Sequence, residues 1–318
     1  MRIFVSGSLA YDRIMDFPGR FADHILPEKI HILNVCFMVN GLTERFGGTA
    51  GNIAYNLALL GEKPVILATA GRDFGPYRDW LSRLGLPLEG IKEIPEEFTA
   101  GAYITTDLAD NQITGFNPGA MKYPSEYRFD GVAPESALAI VAPGSLEDML
   151  NYTRAYKQRG VRYIFDPGQS IPAWGGQELQ EMATGAWALI VNDYELEMFR
   201  QKTGLEEAGL LDLAATLIVT KGEAGSCLRT TAGKEEIPAV TAQGVQDPTG
   251  AGDAYRAGLL KGLAAGLSMA EAARLGAVLA SFSVEHQGTQ EHRVALADFW
   301  ARYQRHFGPP PAAIQGTS

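Results

Sequence analysis

The run Asp247-Pro248-Thr249-Gly250-Ala251-Gly252-Asp253-Ala254 joins a glycine-spaced turn to an apolar helical pattern and sets one carboxylate at the helix entrance. Glycines let the backbone turn its N–H groups inward. The helix that follows, apolar at Ala254, Leu259, Leu260 and Leu263, adds a partial positive charge at its N-terminus. Together they make an anion site. A carboxylate beside a bound phosphate is repulsive unless it has a proton to take, so Asp253 reads as the base for an attacking hydroxyl, with Gly250, Ala251 and Gly252 as the anion hole. The competing reading is an ordinary turn in which Asp253 only caps the helix.

A second glycine-rich turn, Gly47-Gly48-Thr49-Ala50-Gly51-Asn52, feeds another amphipathic helix that stops at Gly61. The pair of segments resembles the two signatures of the ribokinase-like (PfkB) family of sugar and nucleoside kinases, and the resemblance runs from Val5-Ser6-Gly7-Ser8 to about Gly288. It implies that Asp253 is the catalytic base and that the Gly250-Ala251-Gly252 backbone receives the moving phosphoryl group.

Further residues gain roles from the same resemblance. Asn192 and Glu195 stand where a strand end enters a helix, so both can point into one crevice, and they resemble the Asn-x-x-Glu element that organises magnesium; a capping box would use the same two residues. Asp166, in Asp166-Pro167-Gly168, is a second strand-end carboxylate that either approaches the magnesium or phosphates or ends its strand in a turn. Thr220, Gly222 and Gly225 match the family's nucleotide-binding turn, and Lys221 between them either reaches a phosphate or is solvated. ATP is the implied donor, its adenine lying between this turn and the helix near Val278 to Phe282. Asp247 and Thr249 resemble the start of a monovalent-cation loop whose other half spans Ser283 to Gly288, which implies potassium; His286 and Gln287 stand in that second half.

On the acceptor side, Asp12 matches the aspartate that accepts hydrogen bonds from sugar hydroxyls, although an Asx turn would also account for it. Gly47 and Gly48 would let substrate lie against backbone, and Asn52 would offer donor and acceptor to the same sugar. Thr49-Ala50-Gly51-Asn52 departs from the usual ribokinase form and is similar to prokaryotic adenosine or broad nucleoside kinases. Phe37, Met38, Gln112, Phe116 and Met121 are types that sandwich and hydrogen-bond a purine, or that simply pack a small sheet. The expectation is an ATP- and magnesium-dependent kinase acting on the 5′-hydroxyl of a nucleoside, adenosine first. The alternatives are a sugar kinase acting on ribose or fructose and a catalytically silent nucleotide- or sugar-binding regulator on the same fold.

These residues need a scaffold, and the sequence supplies one. Short β-branched runs at 3–6, 65–70, 138–142, 163–166, 189–192 and 217–220 alternate with helical patterns at 50–60, 77–84, 146–159 and 193–203, and three more helices follow residue 250. That rhythm predicts a three-layer, doubly wound α/β fold with a mostly parallel sheet. Residues 14–46 and 98–118 break it with strand-like runs, clearest at 30–39 and 101–106, and are expected to form a small β-sheet lid on a large domain made of 1–13, 47–97 and 119–307. Exposed lid edges would allow a homodimer. Residues 308–318, with three consecutive prolines, are expected to be a loose tail.

Composition narrows the partners. A net charge of −10 argues against a nucleic-acid or membrane-surface partner. Cys36 and Cys227 are too few and too far apart for a disulfide framework and are expected to pack, in keeping with a cytoplasmic enzyme. The five histidines show no zinc-binding spacing. Neither the phosphate-binding Gly-x-x-x-x-Gly-Lys-Ser/Thr loop nor a dinucleotide fingerprint after the first strand is present.

Overall fold

A computed structural model describes residues 1–314 of the chain. The main sheet has nine strands in the order β5-β4-β1-β8-β9-β10-β11-β12-β13: β1 (Arg2–Ser6), β4 (Val65–Gly71), β5 (Ile91–Ile94), β8 (Ala137–Val141), β9 (Arg162–Phe165), β10 (Ala188–Asn192), β11 (Leu217–Thr220), β12 (Ser226–Thr230) and β13 (Gly233–Ile237). Pairing is parallel from β5 to β11 and antiparallel across the last two strands. Every residue of β4 and β8 is buried, as expected of strands covered on both faces.

Alternation along β1 shows how the layers form. Ile3 and Val5 enter a core shared with α1 (Thr49–Leu59), α2 (Gly75–Arg83), α7 (Ala251–Ala264), α8 (Met269–Ser283) and α9 (Leu296–Phe307). Phe4 points the other way, into a core shared with α3 (Leu146–Arg159), α4 (Gly176–Ala183), α5 (Asp193–Thr203) and α6 (Glu207–Leu213). The chain builds outward from β1 to β4 and β5 on one side and from β8 to β11 on the other, so the order reverses between β1 and β8. Open α/β sheets bind ligands at the carboxyl ends of strands beside such a reversal. Here Thr49, at the start of α1, ties that point together: its hydroxyl donates to Pro143 O at 2.6 Å and its N–H to Ser8 Oγ at 3.0 Å.

The second sheet runs β3-β2-β6-β7, from β2 (Ala10–Asp16), β3 (Thr43–Gly47), β6 (Ala100–Thr106) and β7 (Gln112–Asn117). Only Gly7, Ser8 and Leu9 separate β1 from β2, so the small sheet is rooted at the carboxyl end of the central strand. It therefore begins before residue 14, where the rhythm of the sequence alone placed its start.

Three other expectations are corrected. The β-branched run 30–39 forms no strand: a short 3₁₀ segment, Pro27–Ile32, ends on the exposed Ile32 and leads into irregular chain in which Leu33 and Met38 are exposed. The tail is not loose throughout, since Ile314 is buried; residues 315–318 lie outside the described residues. Cys227 is buried, but Cys36 is exposed. Helices α4 and α6 and the β12–β13 hairpin were not anticipated. No helix among the described residues is long and apolar enough to cross a membrane.

Candidate functional site

The turn before α7 is set by Gly250, whose φ of +83° favours glycine and which serves as the helix N-cap. Asp253 is the third residue of that helix, and its Oδ2 accepts a hydrogen bond from Asn52 Nδ2, on α1, at 2.8 Å. Burial raises the Asp253 pKa to about 7; the Arg256 charge and the Asn52 bond hold it down, and the Asp166 carboxylate adds to the rise. A carboxyl that titrates near neutrality is a stronger base than an exposed one and keeps an ionised fraction at neutral pH.

Arg256, one turn further along α7, had no role in the sequence reading. Its guanidinium takes both oxygens of Asp166, with Nη2 donating to Oδ1 at 2.7 Å and Nε to Oδ2, while Nη1 donates to Gly252 O at 3.0 Å. Asp166, just past the end of β9, is thereby spent on an ion pair whose two side chains are 9% and 3% exposed. It does not stand free toward a metal. The pair clamps the Gly250–Gly252 turn to the sheet instead.

Asn192 and Glu195 form the capping box of α5: Asn192 Oδ1 accepts from Glu195 N at 2.7 Å, and Glu195 Oε2 accepts from Asn192 N at 2.8 Å. Burial raises the Glu195 pKa, the Asn192 N–H opposes it, and nearby Asp166 adds to it. The box leaves Glu195 Oε1 for a further partner.

Beside the turn lies a cavity of about 690 Å³ that runs from Thr220, Gly222 and Gly225 to Gly252. Val240 and Val245 wall it, and the small side chains Ala277 and Ala280 of α8 keep it open. Of the expected nucleotide residues, Lys221 does not line it; its Nζ pairs with Glu236 on β13 at 3.1 Å. Asn192 is also outside the lining.

Across the crevice, a Cβ at Gly47 would sit 2.7 Å from Asp12 Oδ2, so a side chain there would displace the carboxylate. Burial raises the Asp12 pKa, Arg45 opposes it and Asp247 adds to it. Pairing register sets Arg45, Asp12, Ala102 and Phe116 directly opposite one another across β3, β2, β6 and β7, on one face of the small sheet. Gln112 shares that face two rows on, opposite Thr106, and both Gln112 and Phe116 are exposed. Phe37 lies elsewhere. Its ring packs 4.8 Å from Phe17 and 5.0 Å from Phe21, the packing role left open by the sequence.

Asn52 is not free for a sugar in this state: its NH₂ faces Asp253 and its oxygen accepts from Gln290 Nε2 at 3.0 Å. Asp247 joins the two halves of its loop, accepting from Thr249 N at 2.9 Å and Gly288 N at 3.0 Å. Arg45 reaches the same loop at Gln287 Oε1, 3.2 Å away. Arg45, Arg256 and Gln290 were all missed, because none belongs to a glycine-rich turn and their contacts reach residues far away in the chain.

A helix start that can hold a phosphate, with a carboxylate of neutral pKa beside it, belongs to an enzyme that moves a phosphoryl group onto a hydroxyl, and this protein is in that class of phosphotransferase. The model for "pfkB family carbohydrate kinase" matches residues 21–295, and the chain belongs to that family. Among curated relatives, the nucleoside kinase of Methanocaldococcus jannaschii is 33% identical over 282 residues, covering 88% of this chain and 92% of the relative. Among solved structures, the Burkholderia thailandensis nucleoside kinase in complex with inosine superposes with a TM-score of 0.84 at 41% identity, covering 97% of this chain and 99% of that one. The crystal structure of the Methanocaldococcus nucleoside kinase gives 0.85 at 31% identity, with 96% and 99% covered.

Proposed function

We propose that the protein is a nucleoside kinase that transfers the γ-phosphoryl group of ATP to the 5′-hydroxyl of a purine nucleoside. The observation that carries the acceptor class is the row Asp12–Ala102–Phe116. It sets a carboxylate suited to a ribose diol and an exposed aromatic ring two strand spacings apart, roughly 10 Å, on one face of the lid. A nucleoside presents its diol and its base at opposite ends; a free sugar leaves the ring unused. Adenosine is the acceptor favoured by the first signature, and inosine is the ligand named for the Burkholderia relative. The Gln112 amide carries both a donor and an acceptor and so suits either purine.

In this reading Asp253 takes the 5′-hydroxyl proton as the oxygen attacks, and the amides of the Gly250–Gly252 turn receive charge on the transferring group. Arg256 holds that turn to β9. The adenine of ATP occupies the slot between Gly225 and Ala280. Magnesium bound with the nucleotide would supply charge neutralisation on the phosphates. Glu195 suits it, since the capping box leaves its Oε1 for a hydrated cation. The small sheet covers the acceptor and keeps water from the phosphoryl group.

ADP release measured over adenosine, inosine, cytidine, ribose and fructose tests the proposal. Purine nucleosides should exceed ribose in kcat/KM by at least about 10-fold, the value of one stacked base. Ribose or fructose in front would replace this reading with a sugar kinase. The same assay with chelator, and with and without potassium, tests the roles read for Glu195 and for Asp247 and Thr249.

A further inference from the structure

The polar side chains behind Asp253 form one chain whose direction is set at its far end. Trp80 Nε1, which can only donate, bonds Gln290 Oε1 at 2.9 Å. The Gln290 NH₂ must then face the other way, where it donates to Asn52 Oδ1 at 3.0 Å and to Tyr77 OH at 2.6 Å. Tyr77 can accept there because its own hydrogen goes to Gly47 O at 2.8 Å. With its oxygen taken, Asn52 has only its NH₂ to present, and that group meets Asp253 Oδ2 at 2.8 Å. Reversing the Gln290 amide would set its NH₂ against the indole N–H and its oxygen against the Asn52 oxygen. Gln290, Tyr77 and Asn52 are all buried, so a mismatched donor or acceptor there would go without a compensating partner.

We infer that Gln290, oriented by Trp80, is a positioning residue that locks the Asn52 amide to donate to Asp253, so that the carboxylate is held ready to accept a proton. This rests on the reading of Asp253 as the base. Were Asn52 reversed, its oxygen would face the carboxyl, which would keep its proton to donate, and a base would become a spent acid. The other charged or titratable groups around Asp253 are Arg256 on its own helix, Asp166 beyond β9 and Tyr77 from α2. They are unchanged in the variants below.

The test is the pH profile of kcat for Gln290→Leu and Trp80→Phe, with saturating ATP and nucleoside. Gln290→Leu removes the directing donor without adding charge. Its acid limb should move up by about one pH unit, which lowers kcat roughly 10-fold at pH 6 while the alkaline plateau and the KM for ATP hold near wild type. Trp80→Phe, which frees Gln290 to reverse, should move the limb in the same direction by less. A purely structural role would lower kcat by one factor at every pH. Limbs that coincide with wild type in both variants overturn the inference. Asp253→Asn run alongside separates the two claims: near-normal turnover there would remove the base assignment and this inference with it, whereas a disabled Asp253→Asn beside unmoved limbs overturns the positioning role alone. Should Gln290→Leu fail to fold, Trp80→Phe decides.

Discussion

At the phosphate end of the crevice the polar side chains are held by protein. Asp166 and Arg256 saturate each other, Asn52 is gripped from both ends of its amide, and Asn192 and Glu195 close a box around the start of α5. The lid across from it is built otherwise. Phe116 is 51% exposed, and Gln112 makes one long bond of 3.4 Å to Thr106. Met38 is 85% exposed. Phosphoryl transfer needs charges fixed before the substrate arrives, because reorganising them during the reaction adds to the barrier. Choice of acceptor tolerates side chains that settle only on binding. Under the proposed function, the contrast divides the protein into an end that performs the chemistry and an end that selects what undergoes it.

The largest effect should come from loosening the rigid end. Arg256→Leu leaves Asp166 buried without its partner and should cost about 3–5 kcal/mol of unfolding free energy, read by urea denaturation. A loss below about 1 kcal/mol would mean that the clamp is not what fixes the anion hole. On the lid, Phe116→Ala should raise the KM for adenosine or inosine roughly 10- to 100-fold, with kcat and melting temperature nearly unchanged. Free ribose should be indifferent to that change, and a parallel loss for ribose would move Phe116 out of the base contact. Smallest of all, Lys221→Ala should alter the KM for ATP by less than about threefold, because the side chain belongs to a surface ion pair with Glu236 that contributes little. A larger effect would return it to the phosphates.

Stability adds an independent handle on the rigid end. The raised pKa of Asp253 means that the folded protein favours the protonated carboxyl, so its contribution is complete below about pH 4 and is lost as the pH rises through about 7. Asp253→Asn, which cannot ionise, should therefore melt higher relative to wild type at pH 8 than at pH 5. The reverse order would contradict a desolvated carboxylate.

The same contrast marks what the sequence made legible. The inner strands of the large sheet, such as Ala137–Val141 and Ala188–Asn192, announce themselves as apolar runs, and the boundaries of Leu146–Arg159 and Asp193–Thr203 follow from a serine or asparagine at one end and a glycine at the other. Both glycine-rich turns stand out because their composition is tied to backbone geometry. Residues 30–39 misled because β-branched side chains favour strands only when a neighbouring strand and a packed face receive them, and here Ile32 and Leu33 face solvent. Arg256 looked like any helical arginine, and Gln290 like any loop glutamine. Their importance lies in contacts with residues 90 and 238 positions away, which no local pattern encodes.

The central claim is that Asp253 is the base of a nucleoside kinase, and the kcat–pH profile of wild type and Asp253→Asn, with adenosine and ATP saturating, tests it most directly. Wild-type kcat should rise about tenfold per pH unit below 7 and level off above it, as the carboxyl loses its proton. The variant should be at least about 100-fold slower, with no such rise and with ATP affinity retained. Turnover near the wild-type level in Asp253→Asn, or a wild-type profile without an acid limb near pH 7, would contradict the account.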